Sequence, residues 1–354
     1  MELDLTKTHT LLAAYEAIPK VPSFLRDRYF PTVKELDVFN TEDVLVDYKD
    51  NGRKAAPFVS PIVGGKVMER QGFTTERFTP SLIAPKRTLS VDDLKKRGFG
   101  EAVFSGVSPA ERELLLTMRD LRELDEMTTR TEENMAAETL INSKCIMKTI
   151  TDEAGTTQNN EIKFYTGDVN PYQYTPTTGW DAGGAILDDL NAMIDMLTVK
   201  GLPASEIVVG ADVAAAIVKN EELQKMLHNN RMNMGSIDPK ELPNGARYIG
   251  DLNVYGKIIA VIAYTEVYEN DEGEIVPYIP ADTVILTAPA SGRGLYGAVT
   301  QLELDNEFHT YDGRRVPKYV PDQAKNTRAM ILSSCPVFIP KNKGAWISAV
   351  VTGL

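Results

Sequence analysis

Polar and apolar positions along this chain change period several times, and each change marks an element. From residue 43, Val44, Val46 and Tyr48 alternate with Asp43, Leu45 and Asp47, a period of two that predicts a strand, and Asp50-Asn51-Gly52 supplies turn chemistry. A second extended run, KVMERQGFTTERFTP, follows Gly64-Gly65. Residues 43–80 therefore predict a long two-stranded excursion, and an arm of about 15 residues reaches ~50 Å. Such a hairpin is marginal alone and needs a neighbouring surface.

The period then lengthens. Leu114, Met118, Leu121, Leu124, Met127, Thr131 and Met135 recur at three- and four-residue spacings, and neither Gly nor Pro interrupts the chain from Ala110 to Lys148. Ser108, Pro109 and Glu111 form a capping box with proline at the first helical position. A spine helix of up to ~60 Å is expected. Its seam loses large apolar residues from Thr128 to Asn134, which argues against a coiled coil and for a helix bordered by sheet and partner subunits. The following CIMKTITDEAGTTQNNEIKFYTG predicts a hairpin around Ala154-Gly155.

Residues 181–300 have another texture. Ile186, Leu190, Met193, Ile194 and Leu197 share one helical face, EIVVG is a short buried strand, ADVAAAIVKNEELQKML a second helix, and several strands end in DTVILTAP. This predicts a separate α/β domain whose chain leaves again after about residue 302. The strand-rich tail is expected to pair in part with the hairpin after the spine, making a discontinuous domain. At the other end, a short helical turn, LLAAYEAI, gives way to text punctuated by Pro19, Pro22 and Pro31, the signature of an arm lying on something else.

Composition narrows the function classes. Of 354 residues 43% are hydrophobic and 25% charged, the balance of a globular protein, and no apolar run reaches membrane-helix length. The N-terminus lacks the basic start and apolar centre of a signal peptide, so a cytoplasmic chain is expected. Cys145, placed in a predicted helix, and Cys335, in a predicted strand, are expected to be buried reduced thiols. A net charge of −12 argues against a protein whose task is gripping phosphate backbones.

Gly292, Gly294 and Gly297 have the G-x-G-x-x-G spacing of a dinucleotide site. That fingerprint needs a strand before the glycines and a helix after them. Here AVTQLELD follows and favours a strand, so a loop between strands is expected and the alternative, an NAD-dependent oxidoreductase, is disfavoured. His9, His228 and His309 lack ligand spacing, and no P-loop or nucleophile elbow is present. No catalytic, cofactor-binding or metal residue is assigned. Asp188-Asp189 and Glu132-Glu133 are expected on solvated helix faces. Lys95-Lys96-Arg97 and Arg314-Arg315 with Lys318 are expected to meet phosphate or an acidic neighbouring subunit.

An arm, a hairpin with little core of its own, a spine and an inserted α/β domain describe a subunit completed by its neighbours. Phe24-Leu25, Tyr29-Phe30-Pro31, and the stretch Val44 to Pro61 with Asp47, Gly52-Arg53, Ala55-Ala56 and Phe58-Val59 carry a resemblance, with Gly72 and Pro80 beyond them. Trp180 opening the inserted domain's first helix, Pro280, Leu286 and Tyr296-Gly297 extend it more diffusely. On these residues the chain resembles the major capsid protein family of tailed bacteriophages typified by the lambda head protein, which has the HK97 fold.

The resemblance implies an α+β, HK97-like fold: an N-terminal arm at 1–40, an extended loop at 41–90, a peripheral domain with the spine at 91–178, an axial domain at 179–302 and a return to the peripheral domain at 303–354. It implies a structural protein without catalysis or cofactor, assembling into hexamers and pentamers of an icosahedral virion shell in the host cytoplasm. The implied partners are further copies of the chain, a separate scaffolding protein, a portal protein, in some relatives a decoration protein, and DNA by weak contact only; no membrane is implied. Val44, Val46, Tyr48, Phe58, Phe73 and Phe78 are expected to bury against neighbouring subunits, with Arg53 anchoring the hairpin tip by charge pairing. An encapsulin-like nanocompartment shell is the alternative on the same fold.

Overall fold

The computed structural model describes residues 23–49, 55–60, 62, 64–68, 70, 72–95, 109–152, 155–221, 223–224, 235–242 and 245–353. The first strands, β1 (Val44–Tyr48) and β2 (Thr74–Phe78), pair antiparallel with Val44 opposite Phe78 and Tyr48 opposite Thr74. They form the root of the excursion that the alternation predicts. β3 (Lys86–Ser90) follows, and then the spine helix, Pro109–Asn142. Ser108 and the 1–22 segment lie outside the described residues.

The spine ends six residues before the expected Lys148. Ser143 takes a left-handed backbone (φ 50°), and β4 (Lys144–Ile150) turns away to pair with β5 (Thr157–Lys163). Within β4, Cys145 and Met147 point into the core, so a period of two overrides the absence of helix breakers. Cys145 therefore sits in a strand rather than a helix.

The α/β unit centres on a seven-stranded sheet. In chain order its strands are β6 (Gln173–Tyr174), β7 (Glu206–Val209), β8 (Gly235–Glu241), β9 (Ala246–Val254) and β10 (Lys257–Tyr264). After a small hairpin, β11 (Val267–Glu269) with β12 (Ile275–Pro277), it is joined by β13 (Thr283–Thr287). The remaining strands are β14 (Gly292–Tyr296), β15 (Val299–Leu302), β16 (Phe308–Tyr311), β17 (Val316–Asp322), β18 (Thr327–Ser333), β19 (Pro336–Pro340) and β20 (Ile347–Val350). Spatial order in the large sheet is β6-β20-β13-β7-β10-β9-β8.

Central strands of this sheet are buried on both faces, which is why EIVVG reads as a continuous apolar run rather than an alternation. Ile207, Val209, Val284 and Leu286 face the helix Ile186–Lys200, whose buried stripe contains the five predicted residues. Val208, Ile285 and Tyr264 face the other way, toward the spine and the segment around Phe24 and Phe30. Trp180 precedes that helix in a short 3-10 turn, and its indole N–H donates to Asp189 at 2.7 Å.

The tail does not pair with the β4–β5 hairpin. β18 pairs with β17 on one side and with β3 on the other, β19 pairs with β14, and β20 enters the large sheet beside β13. The last strand thus returns to the α/β sheet. Trp346 and Ser348 also tie it to the spine, donating to the carbonyls of Thr139 (3.1 Å) and Ile141 (2.6 Å). Among the described residues no helix is long and apolar enough to cross a membrane.

Candidate assembly surface and the joint beneath it

The buried stripe of the spine runs through Leu121, Leu124, Asp125, Thr128, Thr129, Glu132, Glu133 and Ala136, a three- and four-residue spacing that passes from apolar to polar residues. Met127 and Thr131, read from the sequence as part of the apolar seam, are exposed. The polar stretch is the middle of an internal joint.

Glu132 is fully buried. Its carboxylate accepts from Arg315 at 2.6 and 2.9 Å, from Arg26 at 3.0 Å and from Arg314 at 3.0 Å. Burial opposes ionisation, yet the three guanidinium charges outweigh it and hold this carboxyl well below the usual range. The side chain of Arg315 is also fully buried, and it donates further to Asp125 (2.9 Å) and Ser334 (3.1 Å). Arg315 is thus an internal residue rather than a contact for phosphate or another subunit, and Glu132 is not on a solvated face. Each residue alone would be prohibitive to bury; together they satisfy one another.

Glu133 does different work. The helix Phe24–Tyr29 has no side-chain cap of its own, and Glu133 accepts the backbone N–H groups of Phe24, Leu25 and Arg26 at 3.0, 2.7 and 3.0 Å, plus the Tyr264 hydroxyl at 2.8 Å. A carboxylate 107 to 109 residues away thus supplies the N-terminal cap. Burial nevertheless raises its pKa, against those hydrogen bonds.

The chain from 24 to 41 then stitches the sheet to the spine. Arg28 forms a two-point pair with Glu206, which also accepts the Tyr29 hydroxyl at 3.0 Å. Asp37 pairs with Arg293, and the Ala298 N–H donates to the Thr41 carbonyl at 3.0 Å.

The glycine triplet belongs to this stitching. Gly292 and Gly294 lie within β14 rather than in a loop, on one face because they are two apart, and β15 follows Gly297 as the sequence predicts. A Cβ at Gly292 would sit 2.3 Å from the Phe30 ring, and one at Gly294 would sit 2.8 Å from Thr32 Oγ. The glycines therefore make room for residues 30–32. With no helix after them, they do not present the helix N-terminus that a dinucleotide site requires.

Beyond the β1–β2 root the molecule changes character. Every described residue from 55 to 73 is exposed and outside regular structure, including Phe58, Val59, Ile62, Val67, Met68 and Phe73. Phe58, Ile62 and Val67 are at least 92% exposed. The root itself is fixed: Lys343 pairs with Glu76, Arg77 with Asp43, and Thr75 donates to Asp47 at 2.6 Å.

The residues expected at subunit contacts separate into two groups. Val44, Tyr48 and Phe78 fill the chain's own core, and Val46 packs partly against it, because inward positions of β1 and β2 meet Phe164 and its neighbours. They are therefore not available to another subunit in the way the sequence reading assumed. Phe58 and Phe73 are exposed; Arg53 lies outside the described residues.

His309 is held by Asp305, its Nε2 at 2.8 Å from the carboxylate, and this hydrogen bond raises its pKa. Asp305, Glu307 and His309 place ligand atoms within 4.8 Å of one another where the chain turns from β15 into β16, His309 being half-buried within β16. Cys145 and Cys335 are free and buried, and burial pushes their thiols up to about 12 and about 11.

Comparison with known proteins gives a concordant picture. The family model for phage major capsid protein E matches residues 7–351. The major capsid protein of Escherichia phage lambda is 23% identical over 346 residues, covering 96% of this chain and 97% of the relative. That of Escherichia phage N15 is 22% identical over 343 residues with the same coverage. A crystal structure described as a prophage capsid protein from E. coli CFT073 superposes with a TM-score of 0.67 at 16% identity, covering 98% of this chain and 99% of the other. A phage-related protein of Bordetella bronchiseptica RB50 superposes at 0.52 and 10% identity, covering 97% and 96%.

Proposed function

Because the chain belongs to the phage major capsid protein E family, we infer that it is the major head protein of a tailed phage, an HK97-like subunit that self-assembles into the shell around the genome. Hexamers and pentamers in quasi-equivalent contact let one sequence close an icosahedron. The observation that carries the reading is the segment 55–73: large apolar side chains held in solvent on a rigidly rooted loop, a surface that an isolated subunit leaves uncovered.

The remaining partners belong to this proposal. A scaffolding protein supplied in trans would set shell size, a portal protein would replace one pentamer, and a decoration protein could bind outside. Assembly would take place in the host cytoplasm and the product would reside in the virion. A net charge of −12 suits a container whose wall confines DNA without adhering to it. Phe58 and Phe73, together with Arg53, are proposed to contact the neighbouring subunit.

Electron microscopy of the purified protein, with sedimentation of the same sample, tests the reading. Closed shells or capsomer rings are expected, alone or with a matched scaffold. A uniform monomer or dimer under both conditions would overturn it.

A further inference from the structure

The turn that joins β15 to β16 carries chemistry that shell assembly does not use. Asp305, Glu307 and His309 bring ligand atoms within 4.8 Å of one another. Their spacing of two puts Glu307 and His309 on one strand face, with Asp305 in the turn beside them, and gives His309 a ligand spacing unlike the helical or Cys-x-x-Cys patterns. Asp305 is fixed at both oxygens: Oδ1 accepts the Glu307 N–H at 2.9 Å, and Oδ2 lies 2.8 Å from His309 Nε2. The carboxylates of Glu303 and Glu307 add their charge around the same ring. Residues 299–312 contain Glu303, Asp305, Glu307 and Asp312 and neither Lys nor Arg.

Acidic turns are common, and a buried neighbour distinguishes this one. Gln301 is the partner of His309 across the two-stranded ribbon, so both side chains stand on the same face. It is 7% exposed, and its amide leans toward the turn, where Nε2 donates to Glu303 at 2.7 Å. The oxygen of the same amide, Oε1, is buried and has no hydrogen-bond partner among the described residues. Held between Glu303 on its own strand and His309 opposite, that oxygen is aimed into the cluster. A buried acceptor of this kind costs free energy unless a donor or a cation meets it. The acidic turn between β11 and β12, with Asp271 and Glu272, contains neither His nor Gln.

We propose that Gln301 Oε1, Asp305 Oδ2, a Glu307 carboxylate oxygen and His309 Nε2 form a four-ligand site for a divalent first-row cation of the Zn2+ type. An imidazole beside two carboxylates and an amide oxygen suits such an ion, whereas Ca2+ and Mg2+ take oxygen ligands alone. Around a tetrahedral Zn2+ the ligand atoms stand about 3.3–3.5 Å apart, so a rotation of the exposed Glu307 side chain closes the present spread. Asp305 and His309 already meet at a hydrogen-bond distance, where the cation displaces the shared proton to solvent. The bound ion ties β15, the turn and β16 together and fixes the register of a ribbon that is marginal as two strands.

The site lies within one subunit and does not depend on the head-protein reading, so the purified full-length protein tests it. Zn2+ is titrated by calorimetry into protein freed of metal with a chelator. The wild type is compared with Asp305→Asn plus His309→Gln, with Gln301→Met, and with Asp271→Asn plus Glu272→Gln as a control turn. Unchanged circular dichroism without metal verifies folding, and the double variant, at an exposed and a half-exposed position, carries the test independently of the buried Gln301. The expected result is one Zn2+ per subunit, with affinity lowered about tenfold or more by the double variant and by Gln301→Met and unchanged in the control turn. Of the ring resonances of the three histidines, those of one should shift with Zn2+ and be missing from the His309 variant. Equal affinity in the double variant, an adventitious ion only, overturns the site, as does a wild type that binds Zn2+ no tighter than about 1 mM. Unchanged affinity in a folded Gln301→Met protein overturns the four-ligand arrangement.

Discussion

The carboxylate of Glu133 accepts the backbone N–H of Leu25 at 2.7 Å across 108 residues of sequence, so the spine helix itself caps the short helix that precedes the extended loop. Beside it Glu132 gathers Arg26, Arg314 and Arg315. Three distant parts of the chain meet on two consecutive residues, and the loop's root is positioned by that meeting.

Glu132→Gln should destabilise the isolated subunit by about 3–5 kcal/mol, because it leaves the buried Arg315 without its main counter-charge. Chemical denaturation measures the change. A double-mutant cycle with Arg315→Met should return a coupling above about 1 kcal/mol; additive losses would mean that the pair does not act as a unit.

Acid sensitivity should carry the same signature. Glu132 has a folded pKa below its unfolded value, so its contribution is complete above the unfolded carboxylate range and is lost as pH falls through that range toward the folded value. Between about pH 4.3 and the lower folded value the wild type should lose up to ~1.4 kcal/mol per pH unit from this group, and Glu132→Gln should not. Glu133 is raised instead, so its stabilising contribution is present at low pH and lost as pH rises through its folded pKa. Glu133→Gln should therefore flatten the stability profile on that side. Denaturation midpoints across a pH series for the three proteins decide both signs.

Gly292→Ala should cost about 1–3 kcal/mol, since the added methyl meets the Phe30 ring at 2.3 Å. The cost should shrink in a Phe30→Ala background, where the ring is gone. An equal cost in both backgrounds would place the strain elsewhere.

Replacing residues 50–72 by a short Asn-Gly turn should leave a folded subunit that forms no shells. The cut spares β1, β2 and the core residues Tyr48 and Phe78, which a wider deletion of 46–78 would remove along with the fold. Circular dichroism together with sedimentation reads the two effects apart, and normal shells from this variant would remove the loop from assembly.

DNA binding should be weak and should fall further with salt, as expected of an acidic wall. Filter retention across a salt series tests this, and tight retention at physiological salt would contradict it.

Local periodicity was enough to read the strand at Val44–Tyr48, the spine as far as Asn142, the helix carrying Ile186, Leu190 and Leu197, and the twice-buried strand EIVVG, whereas the long two-stranded excursion expected at 43–80 is paired only at its root among the described residues. Those features follow from side chains sorting themselves between two faces of one element, which needs no knowledge of what lies opposite. The strand after Gly297 was legible for the same reason, whereas the family likeness rested on particular residues such as Phe24-Leu25 and Tyr29-Phe30-Pro31.

What lay opposite was decided only by the tertiary structure. Glu132-Glu133 carries the ordinary mark of a solvated helix face, and nothing near it in sequence announces Arg26 or Arg315. The gap in large apolar residues from Thr128 to Asn134 was the visible trace, but its cause lay more than 100 residues away on both sides. Val44, Tyr48 and Phe78 show the same limit: alternation says that one face is buried, and whether the chain's own core or a neighbour covers it depends on where Phe164 and the spine lie. Burial is a property of pairs of surfaces, whereas a sequence displays one surface at a time.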